Sequence, residues 1–101
     1  MKESTAFKLV KDELDRATEL AGPFNSPHEG YAVLIEEVDE LWDEVKANEG
    51  TSHKGTSEAV QTAAMALRYL IDLCPEESSV KHEKKVERHY VDYGSYGGYS
   101  G

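Results

Sequence analysis

The stretch EGYAVLIEEVDELWDEVKANEG, residues 29–50, decides the fold because it combines an apolar stripe with an acidic side. When each residue is turned by about 100°, as in an α-helix, the large apolar residues fall on one face. They are Tyr31, Leu34, Ile35, Val38, Leu41, Trp42 and Val45. Six of the nine residues 36–44 are acidic, and no Lys or Arg lies between Glu29 and Val45. The stretch predicts an amphipathic helix that buries its apolar face and has no cation opposite its acids.

Local signals place the ends of this helix and predict another helix before it. Ser26, Pro27 and Glu29 form a Ser-x-x-Glu capping box with proline at the first helical position, so the helix is expected to run from there to about Ala47. A preceding helix is predicted to end before GPFNSP, residues 22–27, because its apolar residues recur at steps of three and four. These are Phe7, Val10, Leu14, Ala17 and Ala21.

A third helix is predicted after the polar connection NEGTSHKGT, residues 48–56, with Ser57 as its N-cap. Its expected apolar positions are Ala59, Val60, Ala63, Ala64, Leu67, Leu70 and Ile71. No repeat or alternating strand pattern accompanies them, so the fold class predicted for residues 1–75 is all-α. Residues 76–91 form a charged extension in which a marginal fourth helix is predicted, and residues 92–101 form a tail rich in Gly, Tyr and Ser.

Composition limits the classes of function. The chain has 101 residues and a formal net charge of −9, which disfavours nonspecific nucleic-acid binding because phosphates would be repelled. No apolar run resembles a signal peptide or approaches the length of a membrane span, so we expect a cytoplasmic protein without a membrane partner. The single Cys74 excludes an intrachain disulfide. A chain this short buries a limited core, which favours association into a homodimer or tetramer.

The acids of the second helix favour a divalent cation. Like charges four residues apart, such as Glu36 and Glu40, each cost ~0.2–0.5 kcal/mol in a helix. Glu37, Glu40 and Glu44 lie beside the apolar stripe, and Glu58 joins them if the second and third helices are antiparallel. Carboxylates spaced in this way suit Mg²⁺, which prefers oxygen ligands. A solvated acidic face is the other interpretation of the same pattern.

The motif Glu-Glu-x-x-Glu in EEVDE, residues 36–40, followed by EAVQ, residues 58–61, resembles the MazG-type all-α nucleoside triphosphate pyrophosphohydrolases. The resemblance covers roughly residues 5–74. Over these residues the chain is similar to short MazG-like proteins, which are common in phages and bacteria. It implies a helical bundle completed into four-helix packing by oligomerisation. It also implies a hydrolase that uses Mg²⁺, or Mn²⁺ in its place, to split a nucleoside triphosphate into the monophosphate and pyrophosphate.

Carried over to this chain, the resemblance assigns Glu36, Glu37 and Glu40 to catalysis and adds Glu58 as a metal ligand. Gln61 stands where the family's second motif, Glu-x-x-Asp, has an aspartate, which puts catalytic competence in question because a neutral amide is a poorer Mg²⁺ ligand. Glu44 is a candidate additional ligand.

Further roles at the substrate follow from the chemistry of phosphate transfer. Glu36 is a candidate base that orients the attacking water. Lys54 and Arg68 are the candidate cations for the triphosphate, although an ordinary surface or ion-pair role is the simpler interpretation of each. Two other functions stay open: a protein that binds or sequesters nucleotides without turnover, and a purely structural helical oligomer.

Overall fold

The computed structural model describes residues 1–76, which form three α-helices. These are α1 (Glu3–Leu20), α2 (Pro27–Lys46) and α3 (His53–Leu73). No strand occurs in this part of the chain, so the all-α prediction is confirmed. None of the three helices combines the length and the apolar character that a membrane span requires. The predicted extension 76–91, apart from Glu76, and the tail 92–101 lie outside the described residues.

Local interactions and backbone conformation determine where helix α2 begins and ends. The hydroxyl of Ser26 accepts a hydrogen bond from the backbone N–H of Glu29 at 3.1 Å, and Pro27 is the first helical residue, as the capping box predicts. The Glu29 carboxylate accepts a hydrogen bond from the backbone of Asn25. After Lys46 the chain turns at Asn48, whose φ of 62° is left-handed and follows a common pattern of helix termination.

The predicted start of α3 is wrong. The helix begins at His53, and its N-cap is Ser52, whose hydroxyl accepts hydrogen bonds from the backbone N–H groups of Lys54 and Gly55. A Cβ at Gly55 would collide with the carbonyl oxygen of Gly50, so only glycine lets the first turn lie against the connection from α2. Gly55, which the sequence interpretation placed in the polar connection, therefore has a packing role at the start of α3.

Helix α3 lies between the other two helices, because α1 and α2 each pack against it and not against each other. The buried core consists of Ala17, Phe24, Ala64 and Met65. Near one end, a Cβ at Gly30 would come within 2.8 Å of the Tyr69 ring and 3.0 Å of Leu73. The start of α2 therefore lies beside the end of α3, and the two helices are antiparallel.

The prediction that α2 buries its whole apolar stripe is wrong for this chain. Tyr31 is 62% exposed and Trp42 is 40% exposed, because among the described residues α2 has α3 as its single neighbouring helix. The other exposed large apolar residues of α2 and α3 are Val38, Val45, Leu67, Leu70 and Ile71. Phe7 of α1, expected in the core, is also exposed. Apolar residues of both α2 and α3 are therefore left uncovered by the part of the chain that the structure describes.

Candidate metal centre

Three glutamates from two helices converge at one end of the α2–α3 pair. Ligand atoms of Glu37, Glu40 and Glu58 all lie within 4.8 Å of one another. Glu37 and Glu40 are three residues apart on α2, which puts their side chains on the same side of successive turns. Glu58 comes from the second turn of α3 and reaches them because the helices are antiparallel. The predicted joining of Glu58 to the acids of α2 thus agrees with the fold.

Two oxygen atoms of this cluster are buried without a hydrogen-bond partner. They are Oε2 of Glu37 and Oε1 of Glu58. A buried carboxylate oxygen without a donor is costly, and among the non-exposed residues that the structure describes these two are the only buried side-chain oxygen or nitrogen atoms without a partner. The cluster therefore has an unmet need for positive charge or for hydrogen-bond donors.

The same crowding changes the ionisation of the two glutamates. Burial raises the pKa of Glu37, and the charges of Glu40 and Glu58 raise it further. Burial also raises the pKa of Glu58, and the negative charges of Glu40 and Glu44 raise it further. Both shifts show that the folded chain resists placing three negative charges here. A bound cation would reverse this preference.

The remaining predicted acids lie around the cluster. Glu36 is exposed, and its charge contributes to the raised pKa of Glu37. Glu44 is half-buried and contributes to the raised pKa of Glu58. Gln61, one turn after Glu58, donates a hydrogen bond from Nε2 to the Ser57 hydroxyl at 3.4 Å. Its amide is therefore held by its own helix.

Arg68 lies away from the glutamates, in a separate structural network. Arg68 is 5% exposed. Its guanidinium group donates a hydrogen bond to the carbonyl of Gly22 at 2.7 Å and lies over the Phe24 ring, 4.3 Å from the ring centroid. Asp72 lies 3.9 Å from it and accepts a hydrogen bond from the backbone N–H of Phe24 at 3.0 Å. Ten residues separate Arg68 from Glu58, which is about 15 Å along a helix. The structure does not bring this candidate substrate cation to the cluster.

Lys54 occupies a different position. It is exposed in the first turn of α3, four residues before Glu58. Residues four apart lie on the same side of a helix. Of the two candidate substrate cations, Lys54 is the one that the fold leaves accessible beside the glutamates.

The sequence interpretation missed an acid on α1. Glu13 has a side chain that is 15% exposed, and its charge contributes to the raised pKa of Glu37. Its carboxylate accepts two hydrogen bonds from Arg16, at 2.9 and 2.7 Å. The available signal was its spacing, because position 13 follows Val10 by three residues and directly precedes Leu14, both of which pack on the core. An acid on that side of α1 faces α3.

No model of a known protein family matches the chain. Comparisons with curated proteins and with solved structures likewise find no match. The resemblance to MazG-type enzymes therefore stays a prediction from the motifs, and the functional argument depends on the geometry of the glutamates.

Proposed function

We propose that this chain is an Mg²⁺-dependent nucleoside triphosphate pyrophosphohydrolase of the MazG-like type. The observation that supports the proposal best is the pair of buried, unpartnered oxygens on Glu37 and Glu58, in a cluster completed by Glu40. A solvated acidic face would leave its oxygens in water, whereas these two are out of water and without donors. A divalent cation would satisfy both oxygens at once.

The donor set fits Mg²⁺ or Mn²⁺. All three groups are carboxylates, the hard oxygen ligands that these ions prefer, and Mg²⁺ keeps several water molecules when few protein ligands are present. Glu40 is exposed, so the cluster is open to solvent on one side and accessible to a triphosphate. Zinc is a poorer match because the cluster contains no Cys or His.

In the proposed reaction, water attacks phosphorus and the bond between the monophosphate and pyrophosphate groups breaks. A bound divalent cation supplies charge neutralisation on the phosphate oxygens and an oriented water. Glu37, Glu40 and Glu58 hold the cation. Glu36, exposed next to Glu37, accepts the proton of the attacking water. Lys54 contacts the phosphates from the first turn of α3, a role that the buried Arg68 does not share.

We also propose that a second copy of the chain covers the exposed apolar side of α2 and α3. Tyr31, Val38, Trp42 and Val45 fall within a narrow arc of α2 when turned by about 100° per residue, next to the flank that packs on α3. A two-fold pairing of this side would make a four-helix arrangement and bury apolar area in both copies.

The assembly is tested by sedimentation at micromolar concentration. The natural chain should sediment as a dimer or tetramer, and Leu70→Lys should shift it toward the monomer. Leu20→Lys is the matched control, since Leu20 is also exposed but ends α1. A natural chain that is monomeric would contradict the proposed pairing.

A second candidate function is nucleotide binding without turnover. It is favoured by Gln61, because the neutral amide replaces an anionic ligand and is bonded to Ser57. A structural oligomer is the third candidate and needs neither a cation nor a nucleotide.

One screen separates the three functions. The purified chain is incubated with each common ribo- and deoxyribonucleoside triphosphate and Mg²⁺ or Mn²⁺, while pyrophosphate release and thermal stability are followed together. An enzyme releases pyrophosphate, and a binder is stabilised without release. A structural oligomer shows neither response, and that result would overturn the proposal.

A further inference from the structure

A cavity of about 370 Å³ lies between α1 and the first half of α3. Leu9 and Val60 supply apolar walls, and Glu13, Ser57 and Gln61 supply polar groups. Small-molecule sites usually have volumes of about 300–1,000 Å³ and combine apolar walls with a few polar groups. The cavity is lined by none of the three glutamates of the candidate metal centre, so it is a separate feature of the fold.

Glu13 brings a negative charge into the wall of this cavity. Its side chain is 15% exposed, whereas Asp15, in the neighbouring ion pair with Lys11, keeps a side-chain exposure of 59%. The hydrogen bonds from Arg16 hold the pKa of Glu13 below its ordinary value, so the carboxylate stays ionised at neutral pH despite its burial. A charged hydrogen-bond acceptor therefore lines a partly apolar cavity.

The polar groups of the cavity can accept more hydrogen bonds than the chain donates to them. An ionised carboxylate accepts about four hydrogen bonds, and Arg16 donates two to Glu13. The side-chain amide of Gln61 donates to the Ser57 hydroxyl at 3.4 Å, and its carbonyl oxygen has no donor among the described side chains. A ligand that fits these acceptors supplies N–H donors. It is also neutral, because Arg16 already balances the charge of Glu13.

We infer that this cavity binds a neutral, planar nitrogen heterocycle with an exocyclic amino group, and that Glu13 accepts a hydrogen bond from that amino group. Cytosine is such a heterocycle, and a carboxylate is a suitable partner for its N4 amino group. Uracil has a carbonyl oxygen in the same place, which a carboxylate repels. Leu9 and Val60 contact the faces of the ring. This site goes beyond the proposed function, because it requires neither the three glutamates nor a cation.

Ligand-observed NMR titration of the full chain with cytidine and with uridine, without a divalent cation, tests the cavity. Cytidine should bind at least about tenfold more tightly than uridine, because a hydrogen bond to a charged group is exchanged for a repulsive contact. Glu13→Gln should remove this preference, since a side-chain amide can donate a hydrogen bond to the uracil carbonyl. Equal binding of the two nucleosides to the natural chain, or no binding of either, would overturn the inference.

Two matched controls separate the cavity from general effects. Asp15→Asn makes the same change of net charge on the same helix at an exposed pair, and it should leave the preference for cytidine unchanged. Val60→Phe fills the cavity and should abolish binding, whereas Ala59→Phe adds the same ring at an exposed position and should not. Should Glu13→Gln fail to fold, Val60→Phe decides: cytidine binding that survives the filled cavity overturns the inference.

The source of the heterocycle is found with the triphosphates. If Mg²⁺-dependent pyrophosphate release favours cytidine triphosphate over uridine triphosphate, and Glu13→Gln removes that preference, the cavity holds the base of the substrate. If cytidine binds but neither triphosphate is cleaved, the proposed function fails and the cavity stands as a nucleoside site. If both triphosphates are cleaved equally and neither nucleoside binds, the cavity fails and the proposed function stands.

Discussion

The two halves of α3 differ in whether their buried charged groups have partners within the chain. In the second half, Arg68 and Asp72 are satisfied within the chain, by each other, by the Gly22 carbonyl and by the backbone of Phe24. In the first half, Glu58 meets Glu37 and Glu40, and two of their oxygens have no partner. Charges of both signs that have partners within the chain are typical of a structural network. Charge of one sign with missing partners is typical of a site that binds a ligand.

The strongest test of this contrast removes the cation of the structural network. Arg68→Met should destabilise the fold by about 3 kcal/mol, because it leaves Asp72 and the Gly22 carbonyl without their buried partner. Urea denaturation measures the loss. Lys8→Met, at an exposed ion pair of α1, is the control and should change stability little. A loss at Arg68 no larger than at Lys8 would show that the network does not stabilise the fold.

A smaller effect is expected from adding and removing the cation at the glutamates. At about 100 times its dissociation constant, Mn²⁺ should stabilise the natural chain by about 2.7 kcal/mol. Glu37→Gln should abolish this gain and make the cation-free chain more stable, since it removes one of the repelling charges. Thermal unfolding with and without Mn²⁺ measures both. Asp39→Asn changes the net charge equally on the same helix, and an equal effect there would indicate a solvated acidic face.

An aspartate at position 61, where the sequence motif leads one to expect an acid, should strengthen cation binding at the three glutamates. Gln61→Asp places a carboxylate one helical step of three from Glu58, and we expect Mg²⁺ to bind about tenfold more tightly, a gain of about 1.4 kcal/mol. Pyrophosphate release should rise, with no change of oligomeric state. Ser57→Ala, which removes the hydrogen-bond partner of Gln61 without adding charge, is the control. Slower turnover in Gln61→Asp would assign Gln61 a role of its own at the substrate.

The smallest effect is the pH dependence of stability. The pKa values of Glu37 and Glu58 are raised in the folded chain, so between their unfolded values and neutrality the folded state holds more protons than the unfolded state. Stability should therefore fall as the pH rises from about 5 toward 7. Urea midpoints measure the slope, which Glu58→Gln should reduce. Saturating Mn²⁺ should reverse it, because the ion binds ionised carboxylates. A slope that Glu58→Gln leaves unchanged would locate the titration elsewhere.

The acidic cluster shows which spatial neighbours can be predicted from residue spacing within one helix. The spacing of Glu37 and Glu40 is a property of one helix, so the sequence is enough to place both side chains together. Glu58 required the assumption that α2 and α3 are antiparallel, which the contacts of Gly30 with Tyr69 and Leu73 bear out. The partial burial of Glu13 depends on how α1 packs against α3, because its spacing within α1 indicates only the side of that helix on which it lies.

The sequence by itself determined the all-α class, the capped start of α2 at Ser26 and the acidic spacing of its second half, because helix periodicity and capping act over a few neighbouring residues. The tertiary structure decided which side of α2 is buried, the start of α3 at His53 and the burial of Arg68. These depend on contacts between residues far apart in the chain. An apolar stripe indicates that a helix packs against another element. Only the packing of the three helices shows which part of that stripe is buried.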